Sequence, residues 1–314
     1  MEVLTSVDEA RCKALRERDE FFWADLVDPA PEELRALGRA LDLHPLALED
    51  TDEFGQPPKL DRYEDHVLLV FYAAREAPER TDATFVPLEV HLYIAGGFVL
   101  TVRREPFEPL ERLHARIDQR RAEEDVVYAI LDTLADALLR TSERIETRID
   151  ALEAAVLERV DRAQSRRIYW LKQEVRDLQR RAIAQHARFQ GDVEAILAVP
   201  GLQPGRRRYL NDVRDHLEEA ASELTRQLED LQALTSTYFN ANAQRLNVLA
   251  ARLSIVATFF LVWTLITSFF GQNFGWLTGR IDSASAFWGL GVGGLVVSTA
   301  LTGAVLWWRR RDLR

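Results

Sequence analysis

The residues with the clearest chemical pattern sit in an apolar setting near the C-terminus. Counting by sevens gives one row of Asn247, Ser254, Leu261 and Ser268 and a second of Ala250, Ala257, Thr264 and Gly271. Both rows are almost wholly small, hydroxylated or amide-bearing. Phe259, Phe260, Val262, Trp263, Leu265, Ile266, Phe269 and Phe270 fall off them. Residues seven apart share a helix face. One face is therefore narrow and polar, and the other is bulky and suited to lipid. Two readings fit. Small residues permit close helix packing. Alternatively, several copies of the helix surround a water-filled path, where hydroxyls and amides cost less than against hydrocarbon. The stretch ends in Gly271-Gln272-Asn273, a weak tripeptide alone but specific at the end of a polar-striped helix.

Other chemistry is sparse. There is no Walker-type glycine loop, no HExxH and no Ser/His/Asp constellation that stands out, so the chain does not read as an enzyme. His44, His66, His91, His114, His186 and His216 are scattered without metal-ligand spacing. Cys12 is the single cysteine, which excludes an internal disulfide framework and a cysteine-built metal cluster. A lone cysteine fits a reducing cytosol. The chain has 40 basic against 50 acidic residues, a balance that disfavours nucleic-acid binding. With 47 % hydrophobic residues it is not a disordered chain.

The elements that must carry the polar rows are two apolar runs, Leu253–Phe270 and Ala286–Trp308. Between Leu253 and Trp308 the only charges are Arg280 and Asp282. A helix of roughly 20 residues spans a bilayer core of about 30 Å, so the two runs predict a transmembrane hairpin. Four of the last six residues are arginines, which places the C-terminus in the cytosol. Two spans then put residues 1–252 there too, and the N-terminus has no apolar signal region. Residues 253–314 hold five arginines against two aspartates, leaving the soluble part at −13.

Residues 20–104 read as mixed α/β. EFFWADLV, HVLLVFYAA, EVHLYIA and FVLTVRRE are strand-like; PEELRALGRAL and HPLALED are helical. Two long antiparallel helices are predicted at roughly 124–160 and 163–198. Pro200, Gly201, Pro204 and Gly205 then break the chain. From Arg206 to Phe270 there is neither proline nor glycine, which allows one helix of about 65 residues, about 100 Å long. Leu210, Leu217, Leu224, Leu231 and Tyr238, with Val213, Ala220, Gln227, Leu234 and Ala241, form a heptad seam on it. That seam serves either a bundle within one chain or a stalk packed against copies of itself.

The placement of Gly271-Gln272-Asn273 after a polar-striped span, before a short loop and a last span, resembles the CorA family of divalent-cation channels, whose signature there is Gly-Met-Asn. HPLALED, PPKLDRYEDHVLLVFY, FVLTVRRE, DVVYAILDTLADALL and YLNDVRDH are similar to that family's other stretches, so the likeness covers nearly the whole chain.

The resemblance implies an α+β cytosolic domain (1–123), an antiparallel long-helix pair (124–204), and a stalk helix continuing into the first span (205–270). An extracellular loop (271–285), a second span (286–308) and a basic cytosolic tail (309–314) follow. It implies a homopentameric funnel in the plasma, or inner, membrane. Gly271, Gln272 and Asn273 would form the selectivity filter, Asn273 as a ring of five amides. Asn247, Ala250, Ser254, Ala257, Leu261, Thr264 and Ser268 would line the pore, with Leu253 and Leu261 as its apolar gate. Mg²⁺ gives up its waters reluctantly, and neutral amides can accept hydrogen bonds from that shell. The implied cargo is Mg²⁺, with Co²⁺ and Ni²⁺, and no organic cofactor. Cytosolic Mg²⁺ would also regulate, held by Asp212 and a partner assigned to Glu79.

The sequence departs from the family in three places. Gln272 replaces methionine, Arg280 stands in a loop that lacks an acidic stretch, and Val262 replaces a proline. Relatives with other residues at the middle signature position include Zn²⁺ transporters, so a Zn²⁺ transporter, possibly proton-coupled, is the alternative. Zinc prefers nitrogen and sulfur ligands, which the rows lack. No acidic residue lies in either span to relay protons, which favours passive flow.

Overall fold

The computed structural model describes residues 1–77, 84–117, 122–200, 207–272 and 275–311. Glu79 and Asn273 therefore lie outside the described residues, as do Gly201, Pro204 and Gly205. The chain divides into two compact units, Met1–Tyr238 and Phe239–Arg314.

The first unit is built on six strands: β1 (Glu2–Leu4), β2 (Phe22–Val27), β3 (Lys59–Arg62), β4 (His66–Glu76), β5 (Phe85–Ala95) and β6 (Phe98–Arg103). Their order is β1-β2-β6-β5-β4-β3. β1, β2 and β6 run parallel, and β6 through β3 alternate antiparallel. Gly97, at φ +95°, makes the tight β5–β6 connection that a side-chain-bearing residue would strain. β4 and β6 are near-continuous apolar runs because the sheet is covered on both faces.

Alternation sorts the side chains between two cores. Phe22, Ala24, Leu68, Tyr93, Leu100 and Val102 pack with residues of α1 (Glu9–Glu17), α2 (Pro31–Ala40) and α3 (Pro45–Asp52). Trp23, Leu69, Phe71, Val90, Leu92 and Val99 belong to the other core. That core includes residues of α4 (Glu108–Arg116), α5 (Glu123–Glu158), α6 (Arg162–Leu197) and α7 (Arg207–Phe270). The short edge strands β1 and β3 and the nine-residue helices α1 and α4 are not among the sequence-derived elements.

The heptad seam of α7 has a definite role here. Leu210, Val213, Leu217, Ala220, Leu224, Gln227, Leu231, Leu234 and Tyr238 are all buried within the chain's own core. The reading of that seam as a bundle within one chain therefore describes it up to Tyr238. Gln227 is fully buried and donates to the Ser142 carbonyl at 2.8 Å, joining α7 to α5.

α6 also closes an open sheet edge. β3 pairs with β4 only over Val67–Val70. Beyond that, the buried Gln185 side chain meets Tyr72 of β4 in the manner of a strand. The Tyr72 amide donates to Gln185 Oε1 at 2.6 Å, and Gln185 Nε2 donates to the Tyr72 carbonyl at 3.2 Å.

In the second unit the end of α7 is followed by α8 (Gly275–Thr278), α9 (Ala284–Ala286), a π-helical stretch (Phe287–Val292) and α10 (Gly293–Arg311). Two helical runs are long and apolar enough to cross a membrane, one within α7 and the other over Ala284–Val305.

Candidate pore and cation sites

The first span presents two distinct sides. Ile255, Phe259, Val262, Ile266 and Phe270 recur at helical spacing and are half-buried. Beside them the Trp263 indole donates to the Thr299 hydroxyl of α10 at 2.8 Å, so this is the side that meets the second span. Val292, Leu295, Ser298, Thr299 and Thr302 are likewise half-buried on the opposing helix. Asn247, Ala250, Leu253, Ser254, Ala257, Leu261, Thr264 and Ser268 are all exposed. The small and hydroxylated rows are thus not what holds the hairpin together.

Hydroxyls on a span need partners when nothing else is near. Thr264 donates to the Phe260 carbonyl at 2.7 Å, and Thr258 to the Ser254 carbonyl at 2.8 Å. Such back-bonds leave the oxygen lone pairs free to accept. At the helix end the Gly271 amide donates to the Thr267 carbonyl at 2.9 Å, and Gln272 follows it, exposed. Arg280 makes no ion pair among the described residues; its guanidinium lies 5.2 Å from the Trp276 ring centre.

A second constellation forms in the first unit, around Asp212. Ligand-capable atoms of Asp132, Asp212 and His216 all lie within 4.8 Å of one another. His216 Nδ1 is 3.4 Å from Asp132 Oδ1 and 3.3 Å from Asp136 Oδ1. The Tyr128 hydroxyl donates to Asp212 Oδ2 at 3.0 Å, and Arg140 pairs with Asp136 at 2.9 Å. Burial, and then the adjacent Asp136 carboxyl, push Asp132 above the usual carboxylate range, while His216 opposes them. Neither Asp132 Oδ1 nor His216 Nδ1 has a hydrogen-bond partner. Carboxylate oxygens suit Mg²⁺, and an added imidazole nitrogen suits Co²⁺, Ni²⁺ or Zn²⁺.

Of these cluster residues the sequence singles out only Asp212, with Glu79 as its expected partner. Asp132 and Asp136, like Asp212 and His216, are four apart and share a helix face. That spacing was the available signal, but it does not say that the two faces meet.

With this geometry in place the chain's kinship is direct. Residues 18–311 match the family described as CorA-like Mg²⁺ transporter protein. The chain belongs to that family of membrane transporters. It is 25 % identical over 259 residues to the cobalt/magnesium transport protein CorA of Thermotoga maritima, covering 78 % of this chain and 70 % of that one. The complete structure of the CorA magnesium transporter of Methanocaldococcus jannaschii shares the fold. Its TM-score is 0.77 at 20 % identity, covering 90 % of this chain and 89 % of the other. The cytoplasmic domain of ZntB from Vibrio parahaemolyticus is a more distant likeness, with TM-score 0.57 at 10 % identity over 71 % of this chain and 88 % of that one.

Proposed function

We propose that five copies of this chain form a channel that imports Mg²⁺, with Co²⁺ and Ni²⁺ as further cargo, and that cytosolic Mg²⁺ closes it. The observation that carries this reading is the exposed small and hydroxylated side of the first span, turned off the face that meets the second span. Copies brought together around that side would enclose a path lined by Asn247, Ala250, Ser254, Ala257, Thr264 and Ser268. Leu253 and Leu261 would form its dewetting constriction. Gly271, Gln272 and Asn273 would form the mouth, where amides and a helix-end carbonyl accept hydrogen bonds from a hydrated ion. Both termini would be cytosolic, in the plasma or inner membrane. A negative interior then favours entry by about 4.6 kcal/mol per 100 mV for a divalent cation.

Regulation would use Asp212 together with Asp132, Asp136 and His216, with Glu79 of a neighbouring copy as a further ligand. Cation binding there would offset repulsion between soluble parts that each carry −13. Zn²⁺ is the second reading, favoured by Gln272 in the signature and by the fold likeness to ZntB; proton coupling would accompany it.

The test is uptake into proteoliposomes at an inside-negative potential, with separate dyes for Mg²⁺ and Zn²⁺, with and without a pH gradient. Mg²⁺ flux that is lost in Asn273→Ala and indifferent to the pH gradient supports the proposal. Zn²⁺ flux that follows the gradient moves the protein to the second reading. Cross-linking that stops at dimers would remove the pentameric pore.

A further inference from the structure

We propose that the cleft between the C-terminal half of α5 and the N-terminal half of α6 binds a nucleoside polyphosphate, its phosphates among Arg148, Arg162, Arg166 and Arg167 and its base against Trp170. The cleft has a volume of about 750 Å³, within the roughly 300–1,000 Å³ usual for small-molecule sites. Four guanidiniums line it, one from α5 and three from the first two turns of α6.

These guanidiniums are not neutralised by carboxylates, unlike several others on the long helices. Arg140 pairs with Asp136, Arg144 with Glu76, Arg181 with Asp177 and Arg207 with Glu194. Among the described residues Arg162, Arg166 and Arg167 have no ion-pair partner, and Arg148 donates to the neutral Thr84 hydroxyl. In a chain with 50 acidic residues this is not for want of carboxylates. Glu174 is the single acidic side chain lining the cleft. It is buried and accepts from the Phe85 amide at 3.2 Å. Burial pushes its carboxyl up, against the Phe85 and Thr84 amides and Arg148, which favour the charged form. With four guanidiniums against one carboxyl, the cleft carries a positive excess that focuses the field and concentrates anions. Guanidiniums in particular recognise phosphate oxygens through paired N–H donors.

The end of α6 does not supply this by itself. Its first amides are already engaged: Asp161 accepts from the Ala163 amide at 3.3 Å, and Gln164 accepts from the Asp161 amide at 2.9 Å. The arginine side chains carry the recognition.

Trp170 gives the ligand its second feature. It is 39 % exposed and stands edge-on to Tyr169 at 5.4 Å. With Glu174 it also lines an adjoining cavity of about 380 Å³ that runs toward Pro87 and Arg180. An exposed indole between two clefts offers a stacking surface to a planar base. A small anion fits this arrangement better than a nucleic-acid strand, because the remainder of the soluble part, net −13 overall, would repel an extended polyanion.

The test uses the full-length protein in detergent with EDTA, so that bound divalent cations do not contribute. ATP, inorganic tripolyphosphate and adenosine are titrated by calorimetry. Saturable ATP binding is expected, with tripolyphosphate about tenfold weaker and adenosine undetectable. Arg166→Ala and Arg167→Ala should each weaken both phosphorylated ligands by about tenfold. Trp170→Leu should bring ATP down to the tripolyphosphate value and leave tripolyphosphate unchanged. All three side chains are exposed, and the charge reversal Arg162→Glu gives an independent check on any variant that loses helicity. Absence of saturable ATP binding in the millimolar range overturns the proposal. So does ATP affinity that is indifferent to Arg166 and Arg167, or ATP and tripolyphosphate affinities that are equal in the wild type. None of these readouts involves ion flux, so the proposal stands or falls apart from the transport reading.

Discussion

The Tyr128 hydroxyl on α5 donates a hydrogen bond to Asp212 Oδ2 on α7 at 3.0 Å, joining residues 84 apart in the sequence. This contact closes the acidic cluster from one side. It holds the Asp212 carboxylate where Asp132 and His216 can share an ion with it.

A cation that binds the folded cluster should stabilise the protein by mass action, by about 2.7 kcal/mol at a hundred times its dissociation constant. The melting temperature of the full chain in detergent is therefore expected to rise with Mg²⁺ or Co²⁺. Asp212→Asn should abolish most of that rise. Tyr128→Phe should reduce the rise, by less than Asp212→Asn does, and lower the metal-free baseline by about 1 kcal/mol, the worth of one hydrogen bond. An equal cation response in wild type and Asp212→Asn would exclude the cluster as the binding place.

Asp25 is the anion of a buried network between β2 and β6. It pairs with Arg103, accepts from the Thr101 hydroxyl at 2.5 Å, and lies 2.9 Å from His114 Nε2. Burial pushes its carboxyl up, but His114, Arg103 and Thr101 outweigh it and hold it below the usual range. Its contribution is therefore present above the ordinary carboxylate value of 3.8 and lost as pH falls below it. Asp25→Asn leaves Arg103, which is fully buried, without its counter-charge. A loss of about 3–5 kcal/mol is expected in denaturant unfolding. The double variant with Arg103→Leu should lose less than the sum of the two single variants.

Gln185 supplies what a missing strand would have given Tyr72. Gln185→Leu keeps the apolar bulk but strands one buried amide and one buried carbonyl, at about 1–3 kcal/mol for each unpaired group. Hydrogen exchange at the Tyr72 amide should accelerate selectively, and unchanged protection there would show that the side chain is dispensable to the edge.

Asp192 gives a pH signature of opposite sign to Asp25. Burial raises its carboxyl to about 6, against the pull of Arg188 and Arg62. A raised acid stabilises the fold fully below its unfolded value of 3.8 and loses that contribution as pH rises through about 6. Asp192→Asn should therefore raise the melting temperature at pH 8 and have a smaller effect at pH 5. Equal shifts at the two pH values would place the effect outside this titration.

Much of the fold class is legible before any coordinates. The two apolar runs announce themselves by length alone, and the strands β4, β5 and β6 by continuous apolar and β-branched residues. β1 and β3 escape because they are short edge strands whose residues are only partly buried. The candidate pore row is legible as a helical repeat, but Asn273, proposed for its mouth, lies outside the described residues. Of the cluster only Asp212 is legible in the sequence, because Asp132 and Asp136 look like ordinary solvated helix charges until α7 is packed beside them.

The sequence by itself determined which residues share a helix face. Backbone geometry repeats every 3.6 residues whatever surrounds it, so Ser254, Leu261 and Ser268 align on one side without knowledge of any partner. Only the tertiary structure decided what each face meets. It turned the α7 seam inward, set Ile255, Phe259 and Val262 rather than the polar row toward the second span, and brought His216 to Asp132 and Asp136. Those outcomes depend on the joint packing of many side chains from distant segments, and no local repeat encodes that sum.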